Sequence, residues 1–127
     1  MRSMRTPLGR VHGLGSAKTG TETFWHQRLT AIANIPLIIA GVVIVISLVG
    51  RNHAAAAQIL GSPVIAIVML LFILSVTYHM RIGMQVIIED YVQEEKSKLA
   101  LIVLNTFYAV AVALASAFAV LKLAFGV

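Results

Sequence analysis

Long apolar runs alternate with short polar stretches along this chain, and three of the runs are long enough to cross a bilayer. The first covers about residues 29–49 and carries no charge. A crossing needs about 20 apolar residues rising 1.5 Å each, which this run supplies. Pro36 lies inside it, and the backbone donor it lacks predicts a kink that neighbouring helices can repair. The second run covers about residues 59–88, with Pro63 placed for a first helical turn. The third covers about residues 99–125, interrupted by Asn105 and by Lys122, whose long stem lets its amine reach the interface. The pattern predicts an all-α membrane protein, a single domain over residues 1–127 with three transmembrane helices.

The polar stretches set the orientation. Arg2, Arg5, Arg10, Lys18 and Arg28 precede the first run, whereas residues 51–58 carry one positive charge. Basic residues collect on the inner side of a membrane, so residues 1–28 read as a basic leader in the cytoplasm or the mitochondrial matrix. Residues 89–98 then also lie inside, and the carboxyl terminus outside. Arg28 and Tyr91 come to the same membrane surface. The alanines at 54–57 resemble a signal-peptidase site, but the apolar run before them exceeds a signal peptide's 7–15 residues. Pro7, Gly9, Gly13 and Gly15 argue against an amphipathic targeting helix, so the leader reads as a mature, mostly irregular segment.

Composition narrows the class further. The chain is 59% hydrophobic and 12% charged, against about 25% charged in soluble domains. A net charge of +5 therefore has too little soluble surface to form a nucleic-acid site. There are no cysteines, which excludes disulfides, iron–sulfur ligation and thiolate metal sites within the chain. Redox chemistry here needs a non-covalent cofactor or a partner subunit.

Candidate chemistry gathers in the second run. His79 is an imidazole in an apolar span, costly unless a metal, a haem iron or another polar side chain partners it. On a helix, Gly83, Val86 and Asp90 fall within roughly 40° of the His79 stripe. Gly83 and Ser75, one turn away on either side, leave room for a flat macrocycle or a close neighbouring helix. Haem ligation and a hydrogen bond across the bundle both fit His79 at this point. Arg81 lies about 200° from His79, positioned either to snorkel or to face a partner. Tyr91 beside Asp90 is either an interfacial tyrosine or a phenol donating to a quinone carbonyl. Phe24-Trp25-His26-Gln27-Arg28 opens the first span on the same side, with Trp25 as anchor and Arg28 as interface cation or propionate partner. His12, His26 and His53 read as surface residues, and Glu94-Glu95-Lys96-Ser97-Lys98 as a solvated turn.

His79, Gly83, Asp90 and Tyr91, followed by Val92, make a block that resembles the D-type membrane-anchor subunits of succinate dehydrogenase, respiratory complex II. Arg28 with Thr30-Ala31 is a second mark of that family. Thr6-Pro7-Leu8-Gly9-Arg10 and Gly13-Leu14-Gly15-Ser16-Ala17 look like its alphaproteobacterial branch. The resemblance implies a non-catalytic anchor in a bacterial inner membrane, with a mitochondrial inner membrane as the lesser alternative. It implies half of a six-helix bundle completed by a cytochrome b556-type anchor. One haem b would be shared between the two anchors, with His79 as an axial ligand, Gly83 beside the ring and Arg28 near the propionates. Tyr91, held by Asp90, would help bind ubiquinone. The iron–sulfur and flavoprotein subunits, carrying the clusters and FAD, would dock on the inner face. Glu22 and Thr23 depart from a His-Asp pair found in some members, and Arg81 is outside the pattern.

Two readings from other classes compete. A proton channel or small transporter would use His79, Arg81 and Asp90 as a relay, but the other spans offer only Asn34, Ser47, Asn105, Thr106 and Ser116 as further polar groups. A cofactor-free helical scaffold would have His79 bonded across the bundle.

Overall fold

A computed structural model describes residues 4–15 and 19–127; Arg2 and Lys18 of the basic leader lie outside the described residues. Five helices follow one another: α1 (Pro7–His12), α2 (Thr19–Leu48), α3 (His53–Leu60), α4 (Pro63–Tyr91) and α5 (Glu95–Phe125). Three of them, α2, α4 and α5, are long and apolar enough to cross a membrane.

The helix limits differ from the hydropathy limits for local reasons. Hydropathy marks where lipid begins, whereas a helix continues until its backbone bonding is interrupted. α2 therefore starts ten residues before the first apolar run, and its polar first turns are held by pairs such as Arg28 over the Phe24 ring, 5.0 Å to the centroid. Pro36 stays inside this continuous helix. α2 ends at Leu48, where Gly50 takes φ +75°, a left-handed conformation that glycine adopts without strain. The Arg51 Nε then donates to the Ser47 carbonyl at 2.9 Å, satisfying one of the last carbonyls of the helix.

Two stretches expected to be irregular are helical. In the leader, the Thr6 hydroxyl accepts from the Gly9 amide at 3.0 Å and Pro7 opens the turn, so the short helix α1 forms despite the nearby glycines. Between the first two spans, Asn52 accepts from the Ala55 amide at 2.9 Å and caps α3. Ile59 and Leu60, grouped with the second span by hydropathy, belong to α3. Gly61 and Ser62 break the chain before Pro63 restarts it as α4. At the other end Glu95 already belongs to α5, and only residues 92–94 separate it from α4.

α4 is the middle helix, packing antiparallel against α2 on one side and α5 on the other; no comparable interface joins α2 to α5 among the described residues. α3 closes one end, lying against α5 and the start of α4. Gly61 makes this approach possible, since a Cβ there would stand 2.6 Å from the Leu123 carbonyl oxygen. The buried apolar set is small: Ile44, Ala66, Ile82, Ile88, Ala109 and Val120. Most large side chains, among them Ile35, Ile39, Val43, Leu74, Phe107 and Phe118, face outward. In a chain of this composition that is a surface for lipid or partner helices.

Polar groups bind the layers. Asn34, buried, accepts from the Ser75 hydroxyl at 2.7 Å between α2 and α4. Asn105 on α5 donates to the Arg81 carbonyl at 2.9 Å, and the Arg81 Nε donates to the Thr106 hydroxyl at 3.4 Å. Arg81 thus turns to α5 rather than running inward along the span.

Candidate functional site at the α2–α4 interface

A cavity of about 510 Å³ opens between the first turns of α2 and the C-terminal half of α4. From α2 it takes Thr23, Phe24, Gln27, Arg28 and Ala31, and from α4 His79, Ile82 and Val86. The α4 residues fall at steps of three and four, one stripe of a helix. The α2 residues do the same from the facing side, so the antiparallel pairing of the two helices sets the site.

His79 is held from one side only. Its Nδ1 lies 2.9 Å from the Thr30 hydroxyl, across the α2–α4 interface. The same hydroxyl is a donor to the His26 carbonyl at 2.7 Å and approaches the Gln27 carbonyl at 3.1 Å. No hydrogen bond of Nε2 is present among the described residues. The bond across the bundle expected of a structural histidine is therefore real, yet it occupies one ring nitrogen and leaves the other available.

The rest of the wall is mainly apolar, with two polar features. Arg28 stands at the mouth, exposed and stacked on Phe24. Gln27 turns a buried Oε1 with no hydrogen-bond partner among the described residues. A basic imidazole nitrogen, a cation and an unsatisfied amide around an apolar cavity suit a flat amphiphile that carries a metal at its centre and carboxylates at its edge. A haem is such a group, and the residues present fit it. No cluster of three or more His, Cys, Asp or Glu side chains able to hold a metal ion occurs among the described residues.

The structure separates the other candidates. Gly83 is not on the cavity wall; it faces α2, where a Cβ would meet the Gln27 amide nitrogen at 3.5 Å, an ordinary contact. Ser75 likewise clears no space for a ring, because it is spent on Asn34. Asp90 and Tyr91 are exposed at the end of α4, with Tyr91 81% accessible. Twelve residues of helix put Tyr91 about 18 Å along the axis from His79, outside the cavity. Arg28 and His79 are brought together; Asp90 and Tyr91 form a second locus on the same side of the molecule.

Three participants had no role assigned from the sequence. Thr30 entered only as part of the Thr30-Ala31 family mark, and Gln27 as one more interfacial residue. His26, expected on the surface, is exposed but lies with its Nδ1 2.6 Å from the Tyr78 hydroxyl on α4.

Comparison with known proteins places the chain in a family. A family model described as succinate dehydrogenase/fumarate reductase transmembrane subunit matches residues 2–113. The chain is similar to the succinate dehydrogenase hydrophobic membrane anchor subunit of Paracoccus denitrificans, 28% identical over 121 residues that span 95% of this chain and 93% of the relative. It is also similar to the protein of the same name from Rickettsia bellii (strain RML369-C), 32% identical over 101 residues, covering 78% of this chain and 79% of the relative. Both organisms are alphaproteobacteria, the branch the leader suggested. No solved structure matches. The block around His79 and the match over most of its length thus lead to one conclusion: the chain belongs to the succinate dehydrogenase/fumarate reductase transmembrane subunit family.

Proposed function

We propose that this chain is the membrane-anchor subunit of a succinate:quinone oxidoreductase, co-ligating haem b through His79 and completing a ubiquinone-reduction site with Tyr91 and Asp90. The observation that carries the proposal is His79 at the cavity wall, with Nδ1 engaged by Thr30 and Nε2 unengaged. A metal-ligating imidazole commonly uses one nitrogen for the metal and the other for a protein hydrogen bond. The haem, when bound, supplies one-electron redox chemistry. Arg28 offers its guanidinium to the propionates, and Ile82 and Val86 exclude water from the ring. A cytochrome b556-type anchor would supply the haem's other protein ligand and cover the outward apolar faces, forming a six-helix bundle.

At the inner end of α4 the Tyr91 phenol donates to a quinone carbonyl, and Asp90 holds the phenol and the local proton supply. The exposure of both side chains leaves them free for a pocket that the iron–sulfur subunit completes. That subunit and the flavoprotein carry the clusters and the FAD, and electrons from succinate pass through them. The chain lies in the bacterial inner membrane with its amino terminus in the cytoplasm. A transport relay through His79, Arg81 and Asp90 gains no support, since His79 faces α2 while Arg81 faces α5.

The test is a dithionite-reduced minus oxidised spectrum of the complex purified with its native partners. His79→Ala is expected to remove or strongly perturb the b-type band. An unaltered band in that variant, at full subunit content, would remove His79 as a ligand and return the scaffold reading.

A further inference from the structure

Thr30 makes two kinds of contact with one proton. Its hydroxyl lies 2.7 Å from the His26 carbonyl and 3.1 Å from the Gln27 carbonyl, both acceptors that cannot donate. The hydroxyl hydrogen therefore belongs to this backbone contact, a common rotamer for threonine in a helix. Toward His79, 2.9 Å away, only the oxygen lone pairs remain. The bond must then run from the imidazole: Nδ1–H donates and Thr30 accepts. With the proton on Nδ1, the lone pair sits on Nε2.

The reverse arrangement is worse on both sides. Were Thr30 to donate to Nδ1, it would release the His26 carbonyl, and the ring proton would move to Nε2. No hydrogen bond from Nε2 to an acceptor is present among the described residues, and the buried Gln27 Oε1 on the same wall makes no bond to it. A donor would be stranded at a mainly apolar cavity.

We infer that Thr30 is a positioning residue for His79: its hydroxyl, polarised by the α2 backbone, selects the Nδ1–H form of the imidazole and presents Nε2 as the ligating atom. The inference rests on the haem reading of the cavity. The His26 and Gln27 carbonyls are part of the device, because they consume the hydroxyl proton and leave an acceptor for the ring. Through this bond α2, which contributes no metal ligand of its own, sets the orientation and basicity of the ligand on α4. A donor bond from Nδ1 raises imidazole basicity and favours the oxidised metal.

The experiment uses the whole complex carrying Thr30→Val, nearly isosteric without the hydroxyl, beside Thr30→Ser and His79→Ala. The readouts are the midpoint potential of the haem by redox titration and the rate of haem transfer to apomyoglobin. Thr30→Val is expected to move the potential to a more positive value and to speed haem loss about tenfold or more. Thr30→Ser is expected to restore both. A haem-loaded Thr30→Val complex with wild-type potential and loss rate overturns the inference and leaves the haem reading standing. If valine and serine variants both lack haem, restoring the hydroxyl does not restore the site, packing at this position rather than the hydrogen bond is what matters, and the inference fails. If valine alone lacks haem, it is upheld. A wild-type band in His79→Ala overturns the haem reading, and this inference with it.

Discussion

A threonine hydroxyl has one hydrogen to give, and an imidazole has two nitrogens of which one is protonated. Those two counts decide more about the cavity than any hydropathy value, because together they leave a single free lone pair, on His79 Nε2. Tyr91 sits in the opposite situation. It is 81% exposed, and no hydrogen bond among the described residues fixes its phenol. A side chain so placed either anchors the helix at the interface or waits for a ligand brought by another subunit. Replacing it with phenylalanine separates the two, since the ring is kept and the hydroxyl is lost. Tyr91→Phe is expected to lower quinone reduction about fivefold, equivalent to one lost hydrogen bond of about 1 kcal/mol, with succinate oxidation by artificial acceptors unchanged. Full quinone reduction would make Tyr91 an anchor only. His79, Asp90 and Tyr91 were legible from the residues themselves, because an imidazole in hydrocarbon and an acid–phenol pair at its edge stand out without any fold. Thr30 was legible only as part of the Thr30-Ala31 family mark, and its role was not, since it acts only through what stands opposite.

At the scale of the helices, the polar pairs between α2 and α4 form a ladder: His26 with Tyr78, Thr30 with His79, Asn34 with Ser75. The rungs set the rotation and register of two helices that present apolar side chains on nearly every side. Each such bond contributes roughly 0.6–2 kcal/mol in a membrane bundle. α5 is held differently, by Asn105 and Thr106 against Arg81 and by the end of α3 against its last turn. Gly61 is the test of that end. A methyl group there meets the Leu123 carbonyl oxygen at 2.6 Å, a backbone atom with little freedom to yield. Gly61→Ala is expected to cost about 1–3 kcal/mol, read as a lower thermal midpoint of the purified complex. A wild-type midpoint would mean that α3 slides freely on α5. The existence of the long helices was legible from run length, and the break at Pro63 from its chemistry. The early start of α2 and the helices α1 and α3 were not, because caps and side-chain pairs, rather than hydropathy, carry helix into polar sequence.

At the scale of the whole molecule, the cations that flank the charge-free stretches, Arg28, Arg81, Arg51 and Lys122, fall toward two ends. Arg28 is two residues before Thr30 and Arg81 two after His79, so the antiparallel pairing carries both the same way along the axis, to one level. From there to Pro63, α4 rises about 27 Å, close to the thickness of a hydrocarbon core of about 30 Å. Arg51 and Lys122 lie toward the other rim, beyond the charge-free stretches of α2 and α5. The cavity thus opens near one membrane face, the face we propose to be cytoplasmic. The absence of native cysteine makes this testable, because an introduced thiol is the only one in the chain. In intact spheroplasts, a membrane-impermeant maleimide is expected to label Asn52→Cys and to spare Gln93→Cys until the membrane is permeabilised. The reverse pattern would invert the proposed topology.

Alone, the sequence determined that three helices can span a bilayer, that an imidazole lies within the second, and that basic charge gathers before the first. Those are properties of neighbouring residues, set by run length, side-chain chemistry and local charge. Tertiary structure alone decided that Thr30 meets His79 across 49 positions, that Gly83 faces Gln27 of α2, that Ser75 belongs to Asn34, and that Arg81 turns to α5. Helices apolar on nearly all sides have no periodic stripe to reveal which face turns inward. Rotation and register come instead from pairs of polar residues far apart in sequence, and each pair acquires its meaning only when the helices meet.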